Sequence, residues 1–239
     1  MADAKPKEFE RFNLIFRIQH IILFTTFLLL AFSGWALKYP EVEYSSFWVR
    51  IWGGAEMAGL IHRVAGVTLL ADFIWHILYM VYSVAKGTIQ FHPMTTVVPM
   101  PNDATDFVQN ILYYLGLRES PPPFRRFSYL QKFDYWAVFW GMAIIGTSGF
   151  VLAFPVFSSA AFPNFTLGWI WPLMRIMHSD EALLAIVFIL FIHFYSEHLK
   201  PGKFPMSWLW LTGKMSLEEM KHEHPLEYEY RFGKADEDE

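Results

Sequence analysis

Four apolar runs, near residues 14–37, 59–82, 133–154 and 174–198, alternate with polar, proline-rich connections. Each run is long enough to cross a hydrocarbon layer of about 30 Å at about 1.5 Å rise per residue. Backbone polar groups find no water in that layer, so such runs form helices. The pattern predicts an all-α protein, an integral membrane four-helix bundle spanning residues 14–198. Residues 1–13 and 199–239 read as polar tails, and 83–131 as a long polar connection. The first run also resembles a signal-peptide core. It is long for that role and lacks a small-x-small cleavage site, so it is expected to stay as the first helix.

Shorter elements fill the connections. Tyr44, Phe47, Trp48, Ile51 and Trp52 predict a short interfacial helix within residues 38–58. Phe107, Val108, Ile111, Leu112 and Leu115 fall at i, i+1, i+4, i+5 and i+8, an amphipathic helix with Asp103 or Thr105 as its expected cap. It should lie on the membrane surface or a partner. The stretch 155–174 is rich in proline and aromatics and reads as interfacial. Ser216 followed by Glu219 predicts a capping box. The last six residues carry four acids and are expected to be mobile.

Composition agrees. Charged residues make up 18% of the chain, below the roughly one quarter of a soluble domain. The 10 Trp and 11 Tyr suit bilayer interfaces. The chain has no Cys, which removes iron–sulfur clusters, thiolate zinc sites, disulfides and covalent c-type haem from its own chemistry. Any haem must be held through His or Met. The net charge of −4 matters less than where the charges fall. Residues 1–17, 83–132 and 199–239 hold 15 of the 19 Lys and Arg; Lys38, Arg50, Arg63 and Arg175 lie in the other connections. By the positive-inside rule both termini are cytoplasmic, in a prokaryotic-type inner membrane. No nucleic-acid partner is expected.

The histidines bring in chemistry. His62 and His178 fall at the outer ends of the second and fourth runs, His76 and His193 at the inner ends, and His20 near the inner end of the first. On an α-helix, the 14 residues from His62 to His76 turn to within about 40° of a common face, and the 15 from His178 to His193 to within about 60°. Haem with two imidazole ligands needs a facing pair at one depth. The outer pair is unambiguous, while the inner layer holds three imidazoles for two places. Arg17, Arg63 and Arg175 lie beside these histidines, either meeting haem propionates or snorkelling. Asp72 sits inside a span, four residues before His76, and an intramembrane carboxylate is a functional group by default. It would orient an imidazole or carry protons, as would Glu181. His92, His222, His224 and His198 read as surface groups. A zinc site is disfavoured, since these histidines split between two depths.

Arg17-Ile18-Gln19-His20, Ile61-His62-Arg63, Arg175-Ile176-Met177-His178 with His193, and the tail Leu211-Thr212-Gly213-Lys214-Met215-Ser216-Leu217-Glu218-Glu219 with His224-Pro225 resemble the cytochrome b (gamma) subunits of membrane-bound formate dehydrogenases and nickel–iron hydrogenases, and related respiratory cytochromes b. The resemblance covers nearly the whole chain. It implies two b haems, an outer one on His62 and His178 and an inner one on His20 and His193, with quinone reacting beside the inner haem. His76 is additional to that pattern and offers a rival inner pair, His76 with His193. With His198 there are six potential ligands, enough for a third haem. The 49-residue connection 83–131 is long for the family.

The expected function is electron transfer across the bilayer. An outer iron–sulfur or multihaem c-type subunit and a quinone near the cytoplasmic side are the expected partners, in either direction of flow. His20, His76, Asp72, Asp134 and Glu197 are the expected proton or quinone groups. The competing readings are a non-redox transporter or assembly scaffold, and a stand-alone transmembrane haem reductase.

Overall fold

The computed structural model describes residues 8–161, 163, 168–200 and 202–233. Lys5, Lys7, the acidic last six residues and part of the 155–174 stretch lie outside the described residues.

Among the described residues, four helices are long and apolar enough to span a membrane: α1 (Leu14–Lys38), α3 (Ala55–Ala85), α5 (Tyr129–Ala153) and a fourth covering Ile170–Leu199. The fourth consists of α7 (Ile170–Phe188) and two π-helical turns, Ile189–His193 and Tyr195–Leu199. The four predicted runs lie on these helices, except that α5 ends at Ala153, one residue short of its run. The helix α3 begins four residues before its apolar run because Ala55, Glu56, Met57 and Ala58 are helix-compatible residues, and Glu56 suits a helix N-terminus. The interfacial helix expected within 38–58 is α2 (Glu43–Ile51). The amphipathic helix of the long connection is α4 (Pro101–Tyr114), and α6 (Pro155–Ala161) follows α5.

The chain divides into two compact units. One takes Ile15–Tyr79 and Val138–Ser207, the greater part of all four spans. Within it α3 packs on α5 through Phe73 and Phe139, ring centroids 5.3 Å apart, and through Leu70 against Gly146. The helix α5 meets α7 where Gly141 faces the Glu181 carboxylate. The Lys38 ammonium at the end of α1 donates to the Ser179 hydroxyl of α7. These contacts close a four-helix bundle.

The second unit takes the described residues of Met1–Leu14, Met80–Ala137 and Trp208–Glu239. Three expectations change here. The first tail, read only as polar, holds a strand: Glu8–Glu10 forms β1, antiparallel to β2 (Lys214–Ser216) with Phe9 opposite Met215. His224 is buried at 3% exposure. Its Nδ1 donates to the Arg125 carbonyl at 2.6 Å, and its Nε2 lies 3.1 Å from an Arg11 guanidinium nitrogen. Neither Asp103 nor Thr105 occupies the N-cap of α4. Met100 does, and Asp103 reaches back to accept its N–H at 2.6 Å. Pro101 fits the first helical position, which needs no N–H. Asp103 also takes both bonds of the buried Lys132 ammonium, at 2.9 and 3.0 Å.

The tail continues as α8 (Leu209–Thr212), α9 (Leu217–Glu223) and α10 (Pro225–Phe232). Ser216 caps α9, its hydroxyl accepting the Glu219 N–H at 3.1 Å. Met215, Met220 and Tyr228 form a small core with Phe9, Leu217 and Phe232 packed against it. At its edge Glu227 is fully buried and accepts from Arg11, Arg126 and Arg231, each at 2.9 Å. Burial alone would raise the Glu227 pKa, but the Arg11 and Arg126 charges and the Arg126 and Arg231 hydrogen bonds outweigh it, leaving the carboxyl below its ordinary value. A buried charge stays in a fold when it is paired and hydrogen-bonded in this way.

Candidate functional site

Two imidazole pairs face each other inside the bundle. His62 of α3 meets His178 of α7 with ring centroids 6.1 Å apart and planes at 83°. His20 of α1 meets His193 of the first π turn at 6.3 Å and 40°. Two opposed imidazoles on one metal should have centroids about 6.2–6.4 Å apart, taking metal–nitrogen bonds of about 2.0–2.1 Å and a centroid roughly 1.1 Å behind each nitrogen. Both separations are close to that spacing.

The second ring nitrogen of each outer histidine is also accounted for. His62 Nδ1 lies 2.9 Å from Ser33 Oγ of α1. Ser33 donates its own hydrogen to the Leu29 carbonyl at 2.5 Å, so its oxygen acts as acceptor toward the ring. His178 Nδ1 lies 3.1 Å from the Ile145 carbonyl and 3.4 Å from Ser148 Oγ, both on α5. A carbonyl only accepts. Both rings therefore carry hydrogen on Nδ1, and the Nε2 lone pair is the one left for a metal. Glycines make room for them. A Cβ on Gly34 would stand 3.0 Å from His62 Cε1, and one on Gly149 2.8 Å from His178 Cε1.

His76 meets α1. Its Nδ1 lies 3.0 Å from Gln19 Oε1, and its ring tilts on Phe16 at 6.1 Å. Gln19 and Asp72 are buried at 4% and 6% exposure, each with one polar atom, Nε2 and Oδ1 respectively, lacking a hydrogen-bond partner among the described residues. The expectation that His198 lies at the surface is corrected. It is buried, hydrogen-bonded to the Ser207 backbone, with its ring 5.8 Å from His193. The π turn explains this, since its i to i+5 bonding stacks positions 193 and 198. Arg17 and Glu197 are partly buried, whereas Arg63 and Arg175 are exposed. Asp134 is partly buried on α5.

Sequence reasoning had missed Ser33, Ser148, Gly34, the Ile145 carbonyl and the buried side of Gln19. One signal for the serines was present. Ser33-Gly34 and Ser148-Gly149 are the only Ser-Gly pairs in the chain, and each serine precedes its histidine by 29 or 30 residues.

Four apolar helices enclosing opposed imidazoles are the architecture of a membrane-embedded b-type cytochrome. The chain belongs to the prokaryotic cytochrome b561 family, whose model matches residues 11–199 and so takes in all four spans. No curated protein matches it. Membership makes this a multi-pass membrane protein of haem-b electron transfer, and it is consistent with the hydrogenase and formate dehydrogenase cytochromes b. The residues present fit haem b on three counts: the spacing of the imidazole pairs, the hydrogen on Nδ1 of the outer rings, and the glycines that admit those rings.

Proposed function

We propose that the chain is the membrane-anchor cytochrome b subunit of a respiratory complex. It passes electrons between an iron–sulfur or multihaem c-type subunit on the outer side and a quinone or quinol near the cytoplasmic side. The observation that carries this reading is the pair of opposed imidazoles at each end of one bundle. His62 with His178, and His20 with His193, are the proposed ligands. Haem b held by these two imidazole pairs would supply one-electron carriers, which favours electron transfer over oxygen chemistry.

The polypeptide's own work is to hold these rings at fixed separation and keep water away. His76, Gln19 and Asp72 are the proposed quinone-side groups. The Gln19 amide offers an N–H to a quinone carbonyl, and Asp72 offers an acceptor to a quinol hydroxyl. Reduction of a quinone takes up two protons, and His76 and Asp72 are the proposed carriers, with Asp134 and Glu197 as further proton candidates. Arg17, Arg63 and Arg175 are the proposed propionate partners.

A pyridine-haemochrome count on the purified full chain tests the reading. Two b haems per chain are expected. His20→Ala and His62→Ala should each remove one, and His76→Ala should retain both while weakening the spectral response to added quinone analogue. Loss of a haem from His76→Ala would transfer the inner site to His76. A cofactor-replete preparation without visible absorption would leave a transporter or scaffold. Purification without redox partners, with full activity, would leave a stand-alone reductase.

A further inference from the structure

The two outer imidazoles are held by matching devices. On α1 and on α5 a serine bonds back to its own helix, and its oxygen lies near the Nδ1 of a histidine on the next span. The glycine that follows leaves space for the ring. A serine inside a transmembrane helix commonly bonds a carbonyl one turn back, and as a small residue it lets helices approach. Alanine would serve close packing equally well. What alanine lacks is the oxygen, fixed as an acceptor because its hydrogen is already committed.

The two devices differ in one respect. For His178 the nearer acceptor is the Ile145 carbonyl at 3.1 Å, with Ser148 at 3.4 Å. For His62 the acceptor is the Ser33 hydroxyl at 2.9 Å. Truncating Ser148 leaves His178 its carbonyl, whereas truncating Ser33 takes away the acceptor of His62.

We infer that Ser33 and Ser148 are positioning residues for the outer axial imidazoles, and that the Ser33 hydroxyl sets how strongly His62 donates to its metal. This rests on the ligand assignment proposed above. An Nδ1–H that donates to an oxygen makes the imidazole a more basic ligand. A more basic ligand favours the oxidised metal, so removing the acceptor raises the potential of that centre.

The test is a redox titration of the reduced α-band, with low-temperature EPR, on the purified full chain and its variants. Ser33→Ala should keep two haems by pyridine haemochrome and shift the outer haem toward reduction. A several-fold change in its reduction equilibrium is expected, with about 59 mV corresponding to tenfold for one electron. The inner haem should not move. Ser148→Ala should shift the outer haem less. No shift in Ser33→Ala, or equal shifts in both haems or both variants, overturns the inference. If Ser33→Ala loses the outer haem, Ser33→Thr decides. A threonine hydroxyl bonds back within this same helix at Thr26, 2.6 Å from the Ile22 carbonyl. Haem and potential restored by threonine support the role of the hydroxyl, and continued loss overturns it. Two haems retained by His62→Ala would instead sink the ligand assignment itself, so the two failures are distinguishable.

Discussion

An alanine at position 149 would put its Cβ 2.8 Å from His178 Cε1 and 3.1 Å from Nδ1. That is closer than non-bonded atoms tolerate, so the ring or α5 must move. Overpacking of this kind costs about 1–3 kcal/mol. Gly149→Ala should therefore lower outer-haem occupancy, read as haem per protein, while the inner haem is kept. Gly34→Ala meets His62 at 3.0 Å through one atom, with Nδ1 back at 3.6 Å, and should cost less. The histidines were legible in the sequence because imidazoles are rare in apolar runs. Their supports were not, because serine and glycine in a membrane helix usually mean only close packing. The Ser-Gly pairs gain meaning once His62 and His178 are seen against them.

At the scale of elements, hydropathy located the four spans and periodicity located α2 and α4, since burying an apolar face leaves a regular trace. The π turns left none. The 15 residues from His178 to His193 overshoot four α-helical turns by about 60° on ideal geometry. A π turn is wider and advances less angle per residue, so Ile189–His193 takes up part of that excess and His193 comes to face His20. The cap of α4 was misplaced by three residues because Asp103 serves two masters, the Met100 N–H and the Lys132 ammonium. Its loss should be felt beyond the helix end. Asp103→Asn strands a buried cation and should cost about 3 kcal/mol, seen as a lower midpoint in thermal unfolding of the detergent-solubilised chain. Thr105→Ala should leave the midpoint nearly unchanged.

At the scale of the whole molecule, the distribution of Lys and Arg predicts the orientation, and the absence of cysteine makes it simple to check. Glu218→Cys, exposed on α9, should react with a membrane-impermeant thiol reagent only when the cytoplasmic face is open. Glu41→Cys, exposed ahead of α2, should react in intact cells. The reverse pattern would exchange the proposed outer and cytoplasmic ends of the electron path. The polar unit carries a pH signature of its own. Glu227 has a pKa below its ordinary 4.5 in the folded chain, so its contribution is complete above about 4.5 and fades as pH falls through the depressed value. Limited proteolysis of the tail should be slow at neutral pH and accelerate below pH 4.5, and Glu227→Gln should accelerate it already at neutral pH. This unit was the least legible part of the sequence. Its order comes from pairings more than two hundred residues apart, Arg11 with Glu227 and with His224, and neither hydropathy nor periodicity reports on those.

The β1–β2 pairing also fixes a sequence of events. Phe9 leaves the ribosome early and Met215 late, yet they sit opposite each other in one two-stranded sheet. Until the fourth span has been made and the tail released, β1 has no strand to join and Arg11 no carboxylate to meet. Closing this clasp therefore waits until the chain has been made as far as Glu227. A chain that stops before Lys214 leaves the β1 edge open and lacks the Glu227 carboxylate that Arg11 meets.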